Sequence, residues 1–235
     1  MTSPAAVTGA QSAGVATQPA DTGTRPTGVA VAFSGVTCRY GRRTVVDAVD
    51  LTVDAGEHVA LTGANGSGKT TLLRTVLGLH PVAAGTVSVG GAVAAGRAGW
   101  ARRRRDVAWV PQRLAPGRFP LLVRELLASG GAPTAADDAA ATLGVGGLDD
   151  RPLHTLSGGQ LQRVFLARAL GAVAAGARAL LADEPTAALD FDGQEQVAAL
   201  LAALPVTVVV VSHDRAMARA CDRVAEMAAG TLRVI

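Results

Sequence analysis

The sequence predicts an α/β fold: a parallel-sheet core, an antiparallel β side layer and an inserted helical subdomain. Three observations carry it. Residues 179–182 and 206–211 are almost wholly apolar, as strands covered on both faces are. Downstream of residue 160, strands and helical patterns alternate, which implies a parallel sheet. Upstream, strands follow one another directly, which suggests an antiparallel layer.

Residues 1–27 are rich in Ala, Thr, Gly, Ser, Pro and Gln and show no period. They are expected to be a disordered tail, because they cannot bury enough apolar surface to fold. One domain is expected over 28–235. Strands are expected at 29–40 and 44–53, with Gly41 turning between them. A short apolar strand at 57–62 runs into a glycine-rich loop and a helix at 71–77, which Gly78 stops. A strand follows at 85–89. The arginine run 102–105 reads as a solvated turn or a membrane-side surface before a strand at 107–110. Short helices are expected at 121–128 and 134–143, with Thr134 and Asp137 as a capping box. They belong to the helical subdomain, placed at about 113–160. Helices at 161–170 and 194–204 flank the strand at 179–182. The strand at 206–211 follows, and 224–228 and 231–235 close the chain as two edge strands around Gly230.

Composition excludes several classes. The 235 residues are enough for a real core, and 49% are hydrophobic, although aromatics are only 3%. The mean hydropathy of +0.30 raises the question of a membrane span. The longest nearly apolar run, 197–211, is interrupted by Pro205 and Thr207 and is shorter than the roughly 18–20 residues a spanning helix needs. No basic, apolar leader is legible at the N-terminus. Cys38 and Cys221 are the only cysteines, so no disulfide framework is expected. The formal charge of +3 is compatible with an acidic partner but selects none.

Lys69 is the only lysine among 22 basic residues. It lies in Gly63-Ala64-Asn65-Gly66-Ser67-Gly68-Lys69-Thr70-Thr71, between a strand and a helix, which is the context a phosphate-binding P-loop requires. Glycines 63, 66 and 68 let successive N–H groups face one anion. The helix start adds its positive dipole end. Lys69 supplies a compact charge for the β and γ phosphates, where an arginine fork would differ in shape. Thr70 offers a hydroxyl to Mg²⁺. Asp183 ends a buried strand and is placed to hold Mg²⁺, directly or through water. Glu184 follows it and can polarise a water for attack on the γ phosphate. Ser157, Gly158, Gly159 and Gln160 precede a helix and offer a second set of N–H groups to an anion.

With Gln112 after one strand and Ser212-His213-Asp214 after another, this order of motifs resembles the nucleotide-binding subunit of an ABC transporter, over about residues 29–235. The resemblance implies a P-loop NTPase of ABC type that binds ATP with Mg²⁺ and hydrolyses it. It implies that Tyr40 stacks on adenine and that Gln112 touches Mg²⁺ or the attacking water. It implies that residues 157–160 face the γ phosphate held by another subunit. His213 would contact the γ phosphate, with Glu184 as the catalytic partner. Asp190 would lie in the loop that meets the other subunit, although Ala187 stands where serine is common. The other histidines, His58, His80 and His154, read as surface or satisfied loop residues.

The implied partners are a second copy in a head-to-tail dimer, an integral membrane permease and a solute-binding protein, with no nucleic acid. The implied place is peripheral, on the cytoplasmic face of the plasma membrane. The interval 71–155 is too short for the coiled coil of chromosome and repair ATPases. The segment 119–127 is similar to the coupling segment of metal-ion importers and of iron-chelate importers, and the short helical insertion and the helix from Leu161 to Arg168 are similar to the zinc and manganese type. Iron-chelate importers, exporters and non-transport ATPases are the alternatives.

Overall fold

The computed structural model describes residues 1–2, 28–112 and 120–234. Residues 3–27 of the expected tail and residues 113–119 lie outside it.

The chain forms two sheets. The first is antiparallel, with β1 (Val31–Tyr40) between β2 (Arg43–Val53) and β4 (Ala84–Val89), and a two-residue β5 (Ala92–Val93) on β4. The second contains β3 (His58–Thr62), β6 (Val107–Val110), β7 (Ala179–Asp183), β8 (Thr207–Val211), β9 (Arg223–Ala228) and β10 (Thr231–Val234). Its order is β10-β9-β3-β8-β7-β6, parallel except for the β9–β10 pair.

Side chains alternate across these parallel strands, so each feeds two cores. Val208 and Val210 of β8 join Leu180 and Ala182 of β7 on one face. Val209 and Val211 join Leu181, Val59 and Leu61 on the other. The first face is covered by α5 (Gly158–Ala174), α6 (Phe191–Ala202) and the small helices α3 (Val123–Ala128) and α4 (Pro133–Thr142). The second is covered by α1 (Lys69–Val76) and the antiparallel sheet. Thr207 ties the start of the fold to this sheet. Its buried hydroxyl accepts from Val29 N at 3.1 Å and Gly56 N at 2.9 Å, and donates to Val29 O at 2.8 Å.

Several expectations are corrected. Residues 224–228 are not an edge strand: β9 pairs with both β3 and β10, and of the last two strands β10 alone lies at an edge. Thr134 does not cap α4. That helix starts with Pro133, whose fixed φ suits a first helical position, and Thr134 is already inside it. The arginine run is not a turn. It belongs to α2 (Gly96–Asp106), and Arg103 is only 4% exposed. Its guanidinium donates to Val76 O at 3.0 Å and Ala92 O at 2.7 Å, and packs 5.9 Å from the Trp100 ring. The run carries no apolar period, so a single inward arginine looks like its solvated neighbours in sequence. His80 is neither a surface nor a satisfied residue: it is buried, and its Nε2 has no partner among the described residues. His58 is satisfied, with Nε2 3.1 Å from Val206 O. A last short helix, α7 (Arg215–Arg219), went unforeseen.

Candidate ATP-hydrolysing site

The parallel strands point the same way, so the loops after β3, β6, β7 and β8 emerge on one edge of the sheet. Ligands of open α/β sheets bind beyond these carboxyl ends. The loop after β3 carries residues 63–68, and α1 begins at Lys69. Its three glycines differ in what demands them. Gly63 has φ +125°, and a Cβ there would lie 2.0 Å from Met227 O. Gly68 has φ +108°, and its Cβ would lie 2.5 Å from Val45 O. Both are required by close backbone packing. Gly66, at φ +80°, faces open space, with nothing within 4 Å of a Cβ.

That space is a cavity of about 360 Å³. Asn65, Gly66, Gly68, Lys69, Thr70 and Thr71 line one side, and Tyr40, Arg43, Gln112 and Glu184 line others. Tyr40, at the end of β1, is 51% exposed and so is not a core aromatic. The Lys69 ammonium folds back on its loop, donating to Gly63 O at 2.6 Å and Ala64 O at 3.0 Å. Burial pushes its pKa down, against the opposing pull of Glu184 and Asp183.

Asp183 ends β7 and is fully buried. Its Oδ1 accepts from Thr70 Oγ1 at 3.1 Å, while Oδ2 has no partner among the described residues. Burial raises the pKa of this carboxyl, and the Thr70 hydrogen bond offsets part of that. A buried orphan carboxylate oxygen beside a threonine hydroxyl is a fitting donor set for a hard divalent cation whose other ligands are phosphate oxygens.

Glu184 takes φ +51°, a left-handed conformation that is rare for a side-chain-bearing residue and recurs at functional sites. Its N–H donates to Val211 O at 2.8 Å, which anchors the turn to β8. Its Oε1 lies 3.3 Å from His213 Nε2. His213 stands between two anchored neighbours. Ser212 N donates to Leu61 O, and Asp214 Oδ1 accepts from Ala216 N to cap α7. The arrangement therefore joins an anion cradle, a lysine, a buried carboxylate and a His–Glu pair on one edge.

The family model described as "ABC transporter" matches residues 46–187, more than half the chain. The chain belongs to the ABC transporter family. It is an ABC-type ATPase that binds and hydrolyses ATP. The hemin import ATP-binding protein of Streptomyces coelicolor is 42% identical over 223 residues, 88% of this chain and 78% of that protein. A zinc import ATP-binding protein of Paramagnetospirillum magneticum is 40% identical over 191 residues, 77% of this chain and 67% of the relative. Among solved structures, a dimeric ATP-binding cassette in a post-hydrolysis state with ADP and Pi superposes with a TM-score of 0.77. It is 28% identical, and the match covers 87% of this chain and 97% of that one.

Within this ABC cassette, residues 157–160 do not reach the P-loop cavity. Ser157, Gly159 and Gln160 line a different hollow with Arg163, Leu189 and Asp190. Ser157 caps α5: its Oγ accepts from Gln160 N at 3.2 Å, and Gln160 Oε1 accepts from Ser157 N at 3.0 Å. Asp190 caps α6 by accepting from Gly193 N at 3.2 Å, and lies 3.6 Å from Arg163. Sequence reasoning missed Arg43 and Val45 as walls of the P-loop cavity. Their alternation along β2, just after Gly41, was the available signal. It also missed His80, whose ring centroid is 4.6 Å from that of Tyr40. Nothing local marks that residue.

Proposed function

We propose that this cassette powers import of a metal ion, zinc or manganese, through a membrane permease, working as one of two head-to-tail copies. The observation that carries the pairing is the separation just described: one chain holds the P-loop cavity and the 157–160 surface in different places. A second copy would bring its own residues 157–160 over the first copy's triphosphate. The dimeric cassette with ADP and Pi supports this.

In the reaction, the N–H groups of residues 64–70 and the Lys69 ammonium hold the triphosphate. Glu184 accepts a proton from water as the water oxygen bonds to the γ phosphorus and the bond to the β–γ bridging oxygen breaks. His213 orients Glu184 and lies beside the γ phosphate. Thr70, Asp183 and Gln112 would hold Mg²⁺, which when bound neutralises charge on the β and γ phosphates. Loss of the γ phosphate removes the link between the copies, and the pair opens.

A groove of about 630 Å³ between β6 and the helical subdomain is lined by Trp109, Arg105, Gly130 and Arg168. It lies next to the strand that leads to Gln112, so it suits a permease that responds to opening. In this reading the chain works peripherally, at the cytoplasmic face of the membrane, in a system that also has a solute-binding protein. Among the described residues no helix is long and apolar enough to cross a membrane.

Zinc import relatives support the metal reading. The hemin import relative, similar over a longer stretch, favours a second reading: uptake of an iron chelate such as haem. The test is to replace the native gene with the Glu184→Gln version and measure cellular zinc, manganese, iron and haem under limitation of each. A selective fall in zinc or manganese supports the first reading. A fall in haem and iron alone supports the second. No change in any, in a strain without redundant importers, removes both. Co-sedimentation with ribosomes rather than membranes would point to a non-transport ATPase.

A further inference from the structure

We propose that His80 is a positioning residue for ATP: its ring is the slab that holds Tyr40 where adenine stacks. The inference rests on the reading of Tyr40 as the adenine platform.

Tyr40 sits at the tip of the β1–β2 hairpin, paired across the turn with Arg43 and half exposed. A ring in that position has little to fix it. Among the described residues its one aromatic neighbour is His80, with centroids 4.6 Å apart and planes tilted by 47°. His80 is 8% exposed, and its Nε2 is buried without a hydrogen-bond partner among the described residues. A buried polar atom left unpaired is costly and calls for a reason. Here the imidazole is placed as a flat ring against Tyr40 rather than held through that nitrogen.

The chain around His80 is built to fix it. It leaves α1 through Gly78, at φ +70°, where any Cβ would strike the Trp100 ring at 2.7 Å. The segment then returns to β1, where Ala83 N donates to Thr37 O at 2.8 Å. Thus α1 begins with Lys69 at the phosphate end and delivers His80 to the base end. Its 8 residues span about 12 Å at 1.5 Å per residue. Helix α1 and the short segment that follows it therefore connect Lys69 to His80.

The test measures the affinity of the full chain for ATP and for inorganic tripolyphosphate, in the native protein and in Tyr40→Ala, His80→Ala and His80→Phe. His80→Ala is expected to weaken ATP binding roughly 2- to 12-fold, the range of aromatic pair energies, and to leave tripolyphosphate binding as it was. His80→Phe, which keeps a ring and removes the unpaired nitrogen, is expected to restore ATP affinity. The proposal is overturned if Tyr40→Ala weakens ATP binding and His80→Ala does not. It is also overturned if His80→Ala weakens both ligands equally, or if His80→Phe is as weak as His80→Ala. If Tyr40→Ala itself has no effect, the platform reading fails and takes the inference with it.

Discussion

His213 Nε2 lies 3.3 Å from Glu184 Oε1, although the two residues leave different strands. The pair holds a carboxylate, 13% exposed, at the edge of the P-loop cavity. Glu184→Gln keeps the shape and removes the proposed base. Steady-state turnover should fall roughly 10²-fold or more, the worth of general-base catalysis, while ATP affinity is retained. Gel filtration with ATP should then collect paired cassettes. Normal turnover in this variant would remove Glu184 from its role. His213→Ala should lower turnover as well, since it frees Glu184 from its orienting partner.

The P-loop glycines should separate into two kinds. Gly63→Ala meets Met227 O at 2.0 Å and should lower the melting temperature or abolish soluble expression. Gly66→Ala meets nothing. It pays only the left-handed penalty of roughly 1–2 kcal/mol and places a methyl where phosphate must approach. It should fold but bind ATP weakly. Thermal melts with and without ATP distinguish the two, and equal behaviour would contradict the geometry.

Arg103 and Arg104 are adjacent in sequence and opposite in environment, one buried and one exposed. Arg103→Met strands the carbonyl of buried Val76, at roughly 1–3 kcal/mol for a buried unsatisfied group. A loss of several degrees in melting temperature is expected. Arg104→Met should change it little.

Burial, with Asp222 adding to it, pushes the Cys221 thiol up to about 11. An unfolded thiol ionises nearer its usual value of about 8.5. The unfolded chain therefore loses its proton first as pH rises. The folded state is favoured fully below that value, and this contribution is lost progressively up to about 11. Melting temperatures across the alkaline range should fall less steeply in Cys221→Ser. At neutral pH, native Cys221 should react slowly with a thiol reagent and quickly once unfolded. An equal alkaline slope in both proteins would contradict the raised pKa of this half-buried thiol.

Much of the fold was legible because its signals are local. The Val-rich 206–211 run and the glycine spacing of 63–68 each involve neighbours within a turn or a strand. Helix α5 begins at Gly158, before its apolar period, because the Ser157–Gln160 capping box adds a first turn, and it runs on past Leu170 to Ala174. Helix α2 escaped because its one inward side chain is an arginine, and hydrophobic periodicity cannot see it.

The sequence by itself determined the chemistry of each loop: a lysine after glycines, an acidic pair after one buried strand, a histidine after another. Only the tertiary structure decided which of them meet. The strand order β3-β8-β7 sets the loops of residues 63–68, 184 and 213 side by side, and leaves residues 157–160 on another surface. It also brought His80 to Tyr40 and turned Arg103 inward. Those meetings depend on hydrogen-bonded pairing and packing between segments far apart in the chain, where no short-range spacing carries the information.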